Sequence, residues 1–167
     1  MAGETGADVT APAAPVRVAG PGDYGAVGTL LHDFNREFGD PAPPPAALAE
    51  RIGLLVESDD TVVLVAGDPP LGVAVLRFRP AIFTTGLECS LAELYVVPDR
   101  RGRGTGRALM ETSLRLAVER DADTMEICVD EPDTAARRLY ESLGFTNRIG
   151  GPGGPAMFFY ERDLRAR

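Results

Sequence analysis

The apolar positions of the chain change period several times, and the changes mark out its elements. Val16-Arg17-Val18 alternates apolar and polar, as a short opening strand does. Asp23 reads as a helix cap. After it, Val27, Leu30, Leu31, Phe34 and Phe38 recur at helical spacing until Gly39-Asp40 and the Pro41–Pro45 stretch stop the run. Leu48, Ile52 and Leu55 share one side of a shorter helix, Ala46 to Leu55. The pattern then turns β-like. Thr61 to Ala66 is β-branched and apolar, Gly67-Asp68-Pro69-Pro70 is a turn, and Gly72 to Arg79 is a second strand of a hairpin or meander. Pro80 to Gly86 reads as a loop and Leu87 to Val97 as a long strand. Pro98-Asp99 ends that strand. An Arg/Gly-rich loop follows, then a helix to about Arg120 whose core face carries Leu109, Thr112, Leu116 and Ala117. Met125 to Val129 reads as a buried strand, and Asp133 caps a helix that ends at Gly144. Phe145–Ile149 and Ala156–Glu161 read as closing strands around the Gly150–Pro155 turn. The order is a mixed α/β (or α+β) one, without internal repeats.

With 167 residues, one domain is expected, over 16–167. Met1–Pro15 is rich in Ala, Pro and Gly and is expected to be a disordered tail. It has neither the basic region nor the apolar core of a signal peptide. No apolar run reaches the roughly 18 residues of a membrane span, and a cytoplasmic location is expected.

Charge narrows the chemistry. The 17 cationic residues are all Arg, against 25 acidic ones, for a net charge of −8. With no Lys, Schiff-base and P-loop lysine chemistry are excluded. The acidic balance argues against nucleic acid as a partner. His32, Cys89 and Cys128 have no metal-ligand spacing, so no metal is expected, and both cysteines read as reduced core thiols. His32 reads as a surface or structural histidine.

The densest signal runs from Leu94-Tyr95-Val96-Val97-Pro98 into Arg100-Arg101-Gly102-Arg103-Gly104-Thr105-Gly106-Arg107. Alternating glycines between a strand and a helix allow a tight turn and leave backbone N–H groups uncovered. Beside a helix N-terminus they make a site for an anion such as pyrophosphate. The bland alternative is a turn before a solvated basic helix start, but glycines there cost about 1 kcal/mol each unless the backbone is used. A dinucleotide fingerprint would need glycine where Arg107 stands, so that reading fails.

Arg101-Gly102-Arg103-Gly104-Thr105-Gly106 resembles the (Gln/Arg)-x-x-Gly-x-(Gly/Ala) signature of the GNAT superfamily of acyl-CoA-dependent N-acyltransferases. Ala136-Arg137-Arg138-Leu139-Tyr140-Glu141-Ser142-Leu143-Gly144-Phe145 is similar to that family's Ala-x-x-x-Tyr-x-x-x-Gly-Phe segment, and Met157 to Leu164 looks like its last strand. The resemblance implies a mixed central sheet of about seven strands, splayed between the fourth and fifth and flanked by about four helices, with coenzyme A in the opening. It further implies that backbone groups of Leu94, Tyr95 and Val96 hold the pantetheine arm. By the same resemblance the segment Arg101, Gly102, Arg103, Gly104, Thr105, Gly106 and Arg107 holds the pyrophosphate, and Asp133 and Ala136 line the thiol end.

Tyr140 is the implied general acid; the alternative is a tyrosine that anchors its helix beside Phe145. A phenol near pKa 10 suits a hydrogen bond to a departing thiolate (about 8.5) better than full proton transfer. Glu93 is the candidate base, a carboxylate inside a buried-looking strand, which is costly unless it faces a polar cleft. A solvent-facing or edge Glu is the alternative, and some relatives carry the carboxylate one position earlier, where this chain has Ala92. Asp133 stands where many relatives have Asn. Phe34 and Glu37, with Glu93, are substrate-side candidates.

The expected reaction is acetyl transfer from acetyl-CoA to a primary amine of a small molecule, polyamine- or amino-acid-like, by direct attack. An aminoglycoside or a protein amine also fits. A homodimer is common in that family. The alternative is a GNAT-like module that binds acyl-CoA for regulation or partner binding without turnover.

Overall fold

A computed structural model describes residues 13–165. Of the tail expected over Met1–Pro15, residues 1–12 lie outside the described residues; the Pro15 carbonyl accepts the Gly67 N–H at 2.9 Å. The chain divides into two compact units, one up to Ile127 and one from Cys128.

The first unit is built on one open sheet in the order β1 (Val16–Val18), β2 (Thr61–Ala66), β3 (Gly72–Pro80), β4 (Leu87–Val96), β5 (Ala122–Ile127). Neighbours are antiparallel up to β4, and β4 pairs with β5 in parallel. A parallel neighbour requires a crossover, supplied by α3 (Thr105–Glu119). Helices α1 (Tyr24–Phe38) and α2 (Pro45–Val56) cover one face. There Val27, Leu30, Leu31 and Ile52 bury against Val63, Val65, Val73, Val75 and Tyr95. Close approach of α1 to α2 depends on Gly28, where a Cβ would overlap the Pro45 carbonyl and sit 2.9 Å from the Ala49 nitrogen. The other face carries Leu64, Ala74 and Leu76, and α3 buries Leu109, Met110, Ser113 and Ala117. A Cβ at Gly72 would meet Leu109 at 3.2 Å, which puts the even-numbered positions of β3 under α3.

Local chemistry adjusts several boundaries. Asp23 precedes α1 without capping it; its carboxylate instead takes the Arg17 guanidinium at 2.5 and 2.7 Å and the Gly20 N–H at 2.8 Å. Strand β5 begins three residues before the expected Met125. Asp121 adopts φ 61° beyond α3, and its carbonyl accepts the Leu87 N–H, so pairing with β4 starts at once. Cys89 is buried as expected, but Cys128 is exposed, because the strand ends before it.

The second unit contains α4 (Thr134–Ser142). Asp133 caps it, Oδ1 accepting the Ala136 N–H at 3.0 Å, and Gly144 follows at φ 90°. Among the described residues the sheet has five strands, against the expected seven. Phe145–Ile149 and Ala156–Glu161 share a single bridge, Arg148 with Ala156. Thr146 Oγ1 takes the Arg148 N–H at 3.1 Å, a local bond that competes with a ladder. Beyond Met157, Phe158, Phe159 and Tyr160 are exposed, without a strand partner among the described residues.

Candidate functional site

Strands β4 and β5 run together only from Leu87–Ala122 to Leu91–Ile127. β4 then continues alone on that side from Ala92 to Val96. The family resemblance implies a splay between the fourth and fifth strands; within this unit β5 ends at Ile127 and leaves a stretch of β4 with no partner on that side among the described residues. Such an edge offers N–H and C=O groups to an extended ligand as an added strand would.

A bulge lies at the same place. Leu91 pairs with Leu76 and Glu93 with Val75, so Ala92 has no opposite number on β3. The extra residue reverses the alternation of the strand. Before it, Cys89 and Leu91 pair with Phe78 and Leu76 on the α3 face; after it, Leu94 and Val96 take that face, opposite Ala74 and Gly72. Glu93 and Tyr95 are thereby turned to the α1/α2 face, beside Val75 and Val73. Ala92 had no role in the sequence reading beyond being the place where a carboxylate was missing. The spacing from Leu91 to Leu94, three where a regular strand has two, was the signal.

Glu93 is half-buried, and burial raises its carboxyl above the ordinary 4.5. Among the described residues it has neither an ion pair nor a side-chain hydrogen bond, so its oxygens are available to a ligand or to water. That fits a proton acceptor better than an edge glutamate.

Past β4 a single 3-10 turn, Pro98–Arg100, leads into the glycine loop. Gly102 and Gly104 adopt φ 72° and 82°, the left-handed region in which a side chain is strained. Gly104 is the N-cap of α3 with no side-chain cap. The first helical bond runs from the Ala108 N–H to the Gly104 carbonyl at 2.9 Å. The amides of Thr105 and Gly106 lie ahead of it, without an acceptor in the helix, and add the helix dipole to an anion-receiving cradle. Thr105 itself is buried, Arg103 exposed, and Arg107 lies 3.7 Å from Glu111.

Two expected ligand residues are occupied with each other. Arg101, a phosphate-side candidate, donates from both terminal nitrogens to Glu37, a substrate-side candidate, at 2.6 and 2.7 Å. Its Nε donates to the Val96 carbonyl at 2.8 Å, and its guanidinium lies 5.3 Å from the Tyr95 ring centre. Phe34, the other substrate-side candidate, packs against the core with its ring 5.6 Å from Tyr95. The partnership crosses from the end of α1 to the loop, a separation of 64 residues that no local pattern could reveal. His32 is structural as expected, with Nδ1 2.9 Å from the Pro43 carbonyl oxygen.

In the second unit, Ala136 and Tyr140 lie on α4 and Asp133 caps it. Tyr140 is buried, with its ring edge-on to Phe145 at 6.1 Å. Burial pushes its hydroxyl up to about 12, and the Asp133 charge adds to the rise. The first unit thus gathers Phe34, Glu37, Glu93 to Val96 and the glycine loop, and the second holds Asp133, Ala136 and Tyr140. Among the described residues no His, Cys, Asp and Glu group could hold a metal ion, and no helix is long and apolar enough to cross a membrane.

Comparison with known proteins identifies the family. The model of the Acetyltransferase (GNAT) family matches residues 27–145. A mycothiol acetyltransferase of Thermobispora bispora is 38% identical over 70% of this chain, and the match spans 35% of that relative's length. A GCN5-like protein acetyltransferase of Mycobacterium tuberculosis is 40% identical over 56% of this chain and 43% of its own. The chain therefore spans less than half the length of these curated relatives. Among solved structures, a "putative acetyltransferase" from Arthrobacter sp. FB24 superposes with a TM-score of 0.80 at 44% identity, covering 93% of this chain and 99% of that one. The chain belongs to the GNAT acetyltransferase family.

Proposed function

We propose that the chain moves an acetyl group from acetyl-CoA to a primary amine of a small, polyamine- or amino-acid-like molecule, with 16–167 acting as one catalytic domain. The observation that carries the reading is the unpaired half of β4 leading directly into a glycine cradle at a helix N-terminus. The first matches an extended amide-bearing arm and the second a pyrophosphate, in the order coenzyme A presents them. The residues present fit that donor: Leu94 to Val96 supply strand-like backbone, Gly102 to Gly106 supply amides, and Arg103 adds exposed positive charge.

In the reaction the amine nitrogen attacks the thioester carbonyl, a C–N bond forms, the C–S bond breaks and the thiolate leaves. The proton lost by the amine goes to Glu93, directly or through water. Its burial-raised carboxyl is a better base than an ordinary carboxylate. Tyr140 meets the thiolate as a hydrogen-bond donor. With its hydroxyl near 12 against about 8.5 for a thiol, complete transfer would be uphill by about 5 kcal/mol. Asp133 and Ala136 form the capped first turn of the helix that carries it.

The test is thiol release from acetyl-CoA across polyamines, amino-acid amides, aminoglycosides and lysine peptides. Amine-dependent release is the expected result. Tight CoA binding with no amine-dependent release would instead mark a regulatory acyl-CoA-binding module.

A further inference from the structure

Arg101 is spoken for. Its side chain joins the end of β4, through the Val96 carbonyl, to the last turn of α1, through both oxygens of Glu37. The planar guanidinium also lies over the Tyr95 ring, at 5.3 Å from its centre. Glu37 in turn is held below the ordinary carboxyl value by Arg101, with a smaller contribution from the Tyr95 hydroxyl. Both partners of the pair are part-exposed, with side chains 43% and 32% accessible, so the pair stands at the rim of the first unit rather than in its core.

Placement gives the pair a purpose. Arg101 immediately precedes Gly102, the first left-handed residue of the loop, and Val96 is the last residue of β4. The glycines that open the loop's amides also leave it with little stiffness of its own. A fixed side chain at its entrance that grips the strand behind it and the helix beside it supplies the missing constraint. A fork-shaped donor is needed for this, since a lysine ammonium cannot hold two carboxylate oxygens and a carbonyl in one plane.

We propose that Glu37 and Arg101 are positioning residues for the donor site: their paired fork holds the glycine loop in its anion-receiving shape, and Arg101 acts on the loop rather than on a phosphate. This rests on the acetyl-CoA reading above.

The test measures CoA binding by calorimetry for the wild type, Glu37→Gln, Arg101→Gln, Arg101→Lys and the double Gln variant. Desulfo-pantetheine, which lacks the phosphates, is titrated in parallel, and acetyl-CoA kinetics accompany both. Each single change is expected to weaken CoA roughly fivefold, at the modest scale of a part-exposed charged pair. Arg101→Lys should fare no better than Arg101→Gln, and the double variant no worse than the weaker single one. The loss should fall on the KM for acetyl-CoA more than on kcat and be small for desulfo-pantetheine, a split that general loss of folding would not give. Tighter CoA binding in Glu37→Gln would overturn the proposal, because it would mean that the carboxylate keeps a phosphate ligand occupied. Retained affinity in Arg101→Lys, or additive losses, would overturn it as well. A wild-type chain that does not bind CoA would overturn the donor assignment itself, and the role of the pair with it.

Discussion

At the scale of single residues, burial divides the two proton-handling candidates. Glu93 is raised toward neutrality and Tyr140 away from it, so one gains as a base while the other loses as an acid. Glu93→Gln is expected to lower kcat/KM on the order of 100-fold and to flatten the acidic limb of the pH profile, which stopped-assay rates between about pH 5 and 9 would reveal. Stability should move the opposite way. A carboxyl whose folded value lies above its unfolded one stabilises the fold fully below the unfolded value, ordinarily 4.5, and loses that contribution as pH rises through the folded value. Glu93→Gln, neutral throughout, is thus expected to unfold at higher urea than wild type near pH 7.5, with the gap closing toward about pH 4. Tyr140→Phe should lower kcat by about tenfold and leave CoA affinity nearly intact, and an unchanged kcat would remove the hydroxyl from the chemistry.

Glu93 stands out in the sequence as a carboxylate in an apolar strand, whereas Tyr140 becomes a candidate only through the resemblance of Ala136 to Phe145 to the family segment. Arg101 and Glu37 were visible as charges near the site but not as each other's partner. Their bonds cross 64 residues, and composition says nothing about who pairs with whom.

At the scale of elements, helix periodicity and turn chemistry located the four α-helices of the described residues and the first four strands, but not the 3-10 turns Pro21–Asp23 and Pro98–Arg100. Where they failed, backbone hydrogen bonding was the cause. The sixth and seventh strands have strand-like sequence in Met157 to Tyr160, yet strand-forming side chains make a ladder only where another edge accepts them. The packing of α1 on α2 was equally silent, since one glycine within an apolar helix resembles any other. Gly28→Ala is expected to destabilise the chain by about 1–3 kcal/mol, because the Pro45 carbonyl and the Ala49 backbone would have to yield. Chemical denaturation would measure this, with Gly25→Ala as the control, a position with open space around it.

At the scale of the whole molecule, the net charge of −8 surrounds a loop that carries Arg100, Arg101, Arg103 and Arg107. The ion pairs explain how the two coexist. Arg100, Arg101 and Arg107 each have a carboxylate within 4 Å, in Asp99, Glu37 and Glu111, so the cluster is less cationic than its spelling. Under the proposed function the loop would hold the donor's pyrophosphate mainly by backbone amides and Arg103, while the acidic net charge would favour a cationic acceptor. For a polyamine acceptor, kcat/KM is expected to fall as NaCl is raised from about 20 to 300 mM, whereas a neutral amine should show a much flatter response.

The half of β4 beyond Leu91, which has no strand partner on its β5 side among the described residues, has a cost beyond the reaction. An unpaired strand edge accepts any extended peptide as readily as a pantetheine arm, including a segment of another copy of this chain. The donor would then also be a guard: saturating CoA should slow amide exchange along Ala92 to Val96 and suppress aggregation on storage. Starvation for acyl-CoA would leave the protein more adhesive as well as idle.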